Sequence, residues 1–120
     1  QDGYIHGLPV PFLGQPSSAV VGPATFAKKF DSPVVPIFAS RKPEGGHIVH
    51  ILPPLHYNNS GDDDVDMYTL TEECVRVTED FIREHPDEWI WFQHRWMTKM
   101  SEIVDYDKKL EIRERAHEKQ

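Results

Sequence analysis

Two groups of residues in this 120-residue chain have the types and spacing to grip a ligand. Arg41-Lys42 closes an apolar run and precedes a turn, so two cations stand at the carboxyl end of an expected strand, where α/β proteins commonly hold ligands. The alternative is a pair of solvated turn residues. The segment Trp89 to Trp96 holds all three tryptophans and a phenylalanine, with Arg95 among them. Core packing accounts for Trp89 and Phe92, because each ring removes a large area from water. Arg95 is different: a guanidinium drawn out of water by aromatic neighbours needs an anion.

The other titratable groups offer less. His47 and His50 are three apart on an expected strand, so they point to opposite faces and cannot share a metal without distortion. The run Asp62-Asp63-Asp64-Val65-Asp66 lacks the ligand spacing, the sixth-position Gly and the closing Glu of a calcium loop, and reads as a solvated loop. Cys74, the single cysteine, lies in a helical apolar pattern and reads as core filler. There is no Gly-x-Ser-x-Gly nucleophile elbow, no phosphate-cradling Gly-x-x-x-x-Gly-Lys-Ser and no convincing acid–base pair.

The elements that must position these residues fall into two halves. Prolines and glycines crowd the first, whereas residues 66 to 97 contain only Pro86 and no glycine. Residues 8 to 13, apolar with two prolines, suit a strand end or sheet edge, and residues 14 to 18 read as a turn. Ser18 to Phe30 supports a short helix with Ser17 or Ser18 as N-cap and Pro23 in its first turn; small residues at Ala19, Gly22 and Ala27 would let it lie close to a sheet. Residues 34 to 39 read as a strand buried on both faces, with Pro36 needing a place where no ladder bond is lost. Gly45-Gly46 reads as a hairpin turn and residues 47 to 52 as the antiparallel partner. Residues 56 to 66 read as loop.

Met67, Leu70, Cys74, Val77 and Phe81 form a helical stripe, with Thr69 and Glu72 spaced as a capping box, and this helix stops at His85-Pro86. Pro86 then opens a second, short helix, which would put Trp89, Phe92 and Trp96 on one face and Trp91 and Arg95 on another. From residue 103 to 120 the scattered apolar positions predict a frayed or partner-packed helix.

Composition bounds the function. The length suits one domain, and 13 Lys and Arg against 20 Asp and Glu give a net charge of -7. That balance argues against nucleic acid as a partner and against a bulk electrostatic hold on anionic lipid. A lone cysteine rules out an internal disulfide framework, and no apolar run approaches the length of a membrane span. A chain opening on Gln1-Asp2-Gly3, a few residues from a strand-like run, reads as cut rather than begun.

Five segments in order carry a family resemblance. They are Gln1-Asp2 with Val10 to Gly14, the small-residue stretch Gly22 to Ala27, Pro33 to Phe38 with Arg41 and Gly45-Gly46, Ile51 to Leu55, and Pro86 to Trp96. Together they resemble the late, lauroyl- or myristoyl-adding acyltransferases of lipid A biosynthesis, part of the wider lysophospholipid acyltransferase superfamily. The resemblance implies an α/β fold: residues 1–99 as the C-terminal portion of a three-layer acyltransferase domain with few strands and three to four helices, and residues 100–120 as a charged helical or frayed tail. It implies transfer of a fatty acyl chain from an acyl carrier protein or coenzyme A thioester to a lipid A precursor hydroxyl, at the cytoplasmic face of a bacterial inner membrane. No cofactor beyond that donor is implied, and the membrane is met through a part of the protein upstream.

The family's base, a His followed five positions on by Glu or Asp, does not occur among the seven histidines here. No catalytic residue is therefore assigned and the chain alone is expected to be inactive. The resemblance assigns substrate contacts to Asp2, Arg41, Lys42, His94 and Arg95, and no metal ligand. Three departures bear on those contacts: of the family's Asp-x-Asp only the second Asp is present, as Asp2, Ala19 stands where many relatives have Thr, and Gln93-His94 replaces the usual His-Arg ahead of Arg95. Strands without their neighbours would leave edges open to self-association. Two other readings stay open: a non-catalytic module docking a protein or membrane through Trp89 to Trp96, and an acyltransferase acting on another glycolipid.

Overall fold

A computed structural model describes residues 1–118. Its longest element, helix α2 (Asp63–Glu84), starts inside the acidic run. Asp62 caps it, its Oδ1 accepting the Val65 N–H at 3.2 Å, and Asp63, Asp64 and Asp66 sit in the first turn, where carboxylates complement the helix dipole. The run expected as solvated loop is thus a helix start. Asp66 is buried and accepts the Ser60 N–H at 2.9 Å and its hydroxyl at 2.7 Å, which ties the preceding loop down. Thr69 and Glu72 consequently lie within the helix and cap nothing. His85 ends it, because the residue before a proline is pushed out of helical conformation.

The expected stripe divides between two neighbours. Met67, Leu70 and Cys74 pack against Ala24 and Ala27 of helix α1 (Gly22–Phe30), and Phe81 stacks on Phe38 at 4.5 Å. A second face of α2, through Val65 and Tyr68, packs against Leu8 and against Ile112 and Ala116 of helix α3 (Tyr106–Glu118). The charged C-terminal helix therefore docks within its own chain. Lys109 Nζ donates to Gly7 O at 3.1 Å, and His117 meets Glu72 at 2.7 Å.

Four short strands form two antiparallel pairs. Strand β1 (Leu8–Pro9) pairs with β2 (Ser18–Ala19) across a tight turn in which Leu13 and Gly14 take φ of 50° and 79°. Only two residues of the apolar run 8 to 13 are strand, since Pro9 and Pro11 have no N–H to give a ladder. Ser18 and Ala19 are in β2, so the helix starts four residues later than expected, with Pro23 in its first turn. Neither serine caps it: Ser17 Oγ donates to Val10 O and Ser18 Oγ to Tyr4 O, at 2.7 and 2.6 Å. The helix rests on α2 and not on a sheet.

Strand β3 (Ile37–Arg41) pairs with β4 (His47–Ile51), Ile37 opposite Ile51 and Arg41 opposite His47. Gly45 and Gly46, at φ of 101° and 83°, make the turn where the left-handed region is needed. Pro36 lies just before β3 and its carbonyl accepts the Leu52 N–H, so no ladder bond is lost. The expectation of burial on both faces fails: Phe38 and Ser40 face α2, whereas Ile37, Val49 and Ile51 are 59%, 61% and 69% exposed. One helix covers only one side of a two-stranded sheet, and a continuous apolar run does not reveal which side is bare.

The second short helix is also absent. Pro86–Glu88 makes one 3-10 turn, after which Trp89 to Lys99 runs through turns. Trp91 Nε1 donates back to Pro86 O at 2.8 Å, and Arg95 and Thr98 are held by distant parts of the chain, so no common helical face exists for Trp89, Phe92 and Trp96. The fold class is mixed α/β as expected: three helices and two two-stranded antiparallel sheets among the described residues. No helix among them is long and apolar enough to cross a membrane.

Candidate functional site

The loop 93–98 is clamped from the chain's opening residues. Asp2 Oδ2 accepts the Thr98 N–H at 2.9 Å and the Thr98 hydroxyl at 2.7 Å, and Asp2 Oδ1 accepts the Tyr4 N–H at 3.3 Å. This clamp brings Arg95 into the interior, where it is only 6% exposed. Its Nη1 donates to Ser18 O at 2.9 Å, and the guanidinium lies over the Phe12 ring, 4.7 Å from the centroid. Phe12 in turn is flanked by Trp89 and Trp96 at 5.6 and 5.5 Å, and Trp96 Nε1 donates to Phe12 O at 3.2 Å. Burial lowers the Arg95 pKa below its ordinary value, and the Asp2 carboxylate pulls the other way.

Two cavities meet at Arg95. One, of about 220 Å³, is walled mainly by apolar side chains, among them Phe12, Val20, Pro23, Val75 and Trp89, with Thr71 and Cys74 from α2. Burial and the charge of Glu73 raise the Cys74 thiol pKa, which keeps it an inert wall residue. The other, of about 410 Å³, is lined by Asp2, Tyr4, Gln93, His94 and Arg95. An apolar chamber and a polar one sharing a buried cation suit an amphipathic ligand. No acid–base pair forms here among the described residues, because Asp2 spends its oxygens on Thr98 and Tyr4 and not on the His94 ring.

Three of the five residues singled out from sequence, Asp2, His94 and Arg95, therefore share one cavity. Arg41 and Lys42 lie elsewhere. Arg41 ends β3 and is engaged by Glu88: its N–H reaches Oε1 at 2.8 Å and its Nε lies 3.2 Å from both carboxylate oxygens. The Arg41 backbone N–H, then its guanidinium, hold the Glu88 carboxyl below the usual carboxylate range. Lys42 is exposed in the hairpin turn.

Sequence reading missed Thr71, a polar residue amid helical apolar positions, and missed Phe12 and Ser18 as the groups that seat Arg95. The β4 histidine His50 meets the buried Ser40 hydroxyl of β3 at 2.8 Å within the hairpin, and its ring packs against Phe81 of α2 and against His85. No group of three or more metal-ligating side chains occurs among the described residues.

The family described as bacterial lipid A biosynthesis acyltransferase matches residues 2–98, a span that begins at Asp2, ends at Thr98 and leaves out α3. No curated protein and no solved structure matches the chain.

Proposed function

The chain belongs to the bacterial lipid A biosynthesis acyltransferase family, and from that premise we propose that it supplies the scaffold and substrate contacts of an enzyme acylating a lipid A precursor. The donor is an acyl carrier protein or coenzyme A thioester, and the setting is the cytoplasmic face of the inner membrane. In the reaction the acceptor hydroxyl oxygen attacks the thioester carbonyl. The new C–O bond forms as the C–S bond breaks, and the hydroxyl proton passes through a general base to the departing thiolate. None of the seven histidines here is followed five positions on by Asp or Glu, so the base comes from outside these 120 residues and the chain alone transfers nothing.

The observation that carries this reading is the family match across residues 2–98, whose two ends meet at the cleft of Asp2, His94 and Arg95. Arg95 is the group suited to a substrate oxyanion, His94 stands exposed beside it, and Asp2 holds the loop that carries both. The test is an acyl-transfer assay with both donors and a lipid A precursor. An enzyme in which a His-x-x-x-x-Glu stretch precedes this chain is expected to turn over, and the purified 120 residues are not. Transfer by the chain alone overturns the division of labour, no transfer by the longer enzyme with either donor overturns the reading, and preference for a different glycolipid corrects the acceptor.

A second reading has one observation in its favour. Ile90, Trp91 and Phe92 form an exposed apolar turn, Phe92 at 93%, which suits docking to a protein or membrane. A start codon directly upstream of Gln1 favours that stand-alone module, and an open frame encoding the histidine box favours the enzyme.

A further inference from the structure

The β3–β4 hairpin has one guarded edge and one bare edge. The Lys42 N–H donates to Gly46 O and the Leu52 N–H to Pro36 O, at 2.9 and 3.0 Å, and these bonds flank the ladder at its two ends. Bonded pairs alternate with unbonded ones along an antiparallel ladder. Ile37–Ile51, Ala39–Val49 and Arg41–His47 are therefore the unbonded pairs, and their N–H and C=O groups point away from the hairpin. On β3 these outward groups have cover: Glu88 Oε1 accepts the Arg41 N–H at 2.8 Å, and Glu88 and Trp89 line one cavity with Ile37 and Ala39. On β4 nothing answers them. The N–H and C=O of His47, Val49 and Ile51 have no partner among the described residues, and β3 is the sole neighbour of β4 there. Sheets ordinarily protect such an edge with a Lys, a Pro, a bulge or a covering segment. β4 has none of these and is exposed at four of its five positions.

This edge is complementary to itself. When two β4 strands run antiparallel about a two-fold axis at Val49, Val49 stands opposite the partner's Val49 and His47 opposite the partner's Ile51. Two backbone hydrogen bonds for each of the three facing pairs make about six in all, and a slip of two residues either way loses one pair. Charge permits the approach: residues 33–55 carry only Arg41, Lys42 and Glu44 of the chain's charged side chains, all near the turn, and the antiparallel arrangement sets each turn beside the partner's uncharged stretch 51–55. The faces also continue across the seam. The exposed apolar side of Ile37, Ala39, Val49 and Ile51 runs on into the same side of the partner, and Ile48, 45% exposed on the other face, meets the partner's His50. An unrelated extended peptide would lack the match of Val49 to itself, and a face-to-face stack would leave the edge unpaired.

We propose that the β4 edge joins a second copy of this chain, with Val49 opposite the partner's Val49, to make one four-stranded sheet ordered β3-β4-β4-β3. The seam is a single five-residue strand, short of the roughly 1,000 Å² of a stable interface, so the dimer is weak and reversible, with a dissociation constant on the order of 0.1 mM. It goes beyond the acyl-transfer reading and is tested without substrate.

Sedimentation equilibrium of the 120-residue chain from about 1 µM to about 1 mM is expected to fit a monomer–dimer equilibrium. Val49→Pro removes an N–H that β3 does not use, so the hairpin is kept and dimerisation is expected to weaken by about tenfold or more. Val49→Lys and Val49→Glu each set like charges face to face and are each expected to weaken it about tenfold, whereas an equimolar mixture of the two is expected to return within about threefold of wild type. Ile37→Lys, on the same apolar side but away from the seam, is expected to stay within about threefold of wild type. Should Val49→Pro lose its circular dichroism, the Lys and Glu mixture decides instead. A monomer throughout, growth past the dimer, a dimer indifferent to a folded Val49→Pro, no recovery in the mixture, or loss of the dimer in Ile37→Lys, the mark of face-to-face stacking, each overturns the proposal.

Discussion

Asp2 and Thr98, 96 residues apart in sequence, are joined by two hydrogen bonds at 2.9 and 2.7 Å, both to one carboxylate oxygen. A charged acceptor serving two buried donors is worth about 1.5 to 3 kcal/mol per bond at most, and the two share one oxygen. Asp2→Ala is therefore expected to cost about 2 to 3 kcal/mol in urea unfolding. Thr98→Val, which removes only the hydroxyl bond, is expected to cost about 1 kcal/mol. In a double-mutant cycle the two must be non-additive; costs that simply sum would show that the contact does not clamp the loop carrying Arg95.

Gly7 is a second position at which the opening residues are fixed, and here the constraint is space. A β-carbon on Gly7 would run into Ser18 Oγ and lie 2.7 Å from Ala19 O. The backbone conformation itself is ordinary, with φ at -72°. Gly7→Ala is expected to destabilise by about 1 to 3 kcal/mol, as overpacking does, and Ser18→Ala in the same chain should recover part of that loss. A single mutant within about 0.5 kcal/mol of wild type, the range of an ordinary surface change, would mean that the two segments are not packed this closely.

Tyr68 is fully buried and donates its hydroxyl to Pro9 O at 3.0 Å. Burial first, then the charge of Glu72, raises its pKa above the ordinary tyrosine value. Tyr57 is pushed up to about 12, by burial and by the neighbouring Asp63. A raised folded-state pKa means that the unfolded chain loses its proton first, so this stabilising difference is intact below about pH 10 and lost as pH climbs toward the folded values. Phenolate absorbance is expected to show both residues titrating only after that point, so that Tyr68→Phe and Tyr57→Phe each subtract from the late part of the curve. Subtraction from the part near pH 10 in either mutant would contradict these environments. At neutral pH, Tyr68→Phe should cost about 1 kcal/mol for the hydrogen bond to Pro9.

Local pattern was enough for the long helix ending before Pro86 and for the Gly45-Gly46 hairpin, since each follows from periodicity, proline chemistry or turn geometry within a few residues, whereas the α/β class came through the family resemblance. Local pattern was not enough for Trp89 to Trp96. Aromatic residues at helical spacing also fit a turn wrapped on a core, and the deciding bonds, Arg95 to Ser18 O and Thr98 to Asp2, span 77 and 96 residues. The acidic run misled by composition: four aspartates look solvated until one of them caps a helix and another is buried on Ser60. At the cleft, Arg95 was visible as a cation among aromatics, and Asp2 and His94 through the family resemblance. Thr71 was not, because a threonine among apolar helix positions differs from its neighbours only by a hydroxyl whose lack of a partner is a three-dimensional fact.

Arg41 and Arg95 are the two arginines that sequence places near a ligand, and their surroundings differ in a way that turnover can measure. Arg41 is already occupied, exposed at the end of β3 and bonded to Glu88 through its backbone, its Nε and, at 3.2 Å, through Nη2 to Asp87 O. Its removal frees a surface carboxylate that water can take over, so Arg41→Ala is expected to leave acyl transfer by an enzyme containing this chain within about threefold of wild type, the scale of a screened surface pair. Arg95 sits out of water with one hydrogen bond and borders both cavities. Its replacement by Ala removes the guanidinium that borders both chambers, and the loss of a charge-assisted contact in such a setting corresponds to about tenfold to a hundredfold in kcat/KM. Arg95→Lys should recover part of that loss, because it restores charge without the planar fork. Equal and near-native rates for Arg41→Ala and Arg95→Ala would remove both from the site. An Arg41→Ala defect as large as that of Arg95→Ala would mean that the Glu88 pair opens to admit substrate.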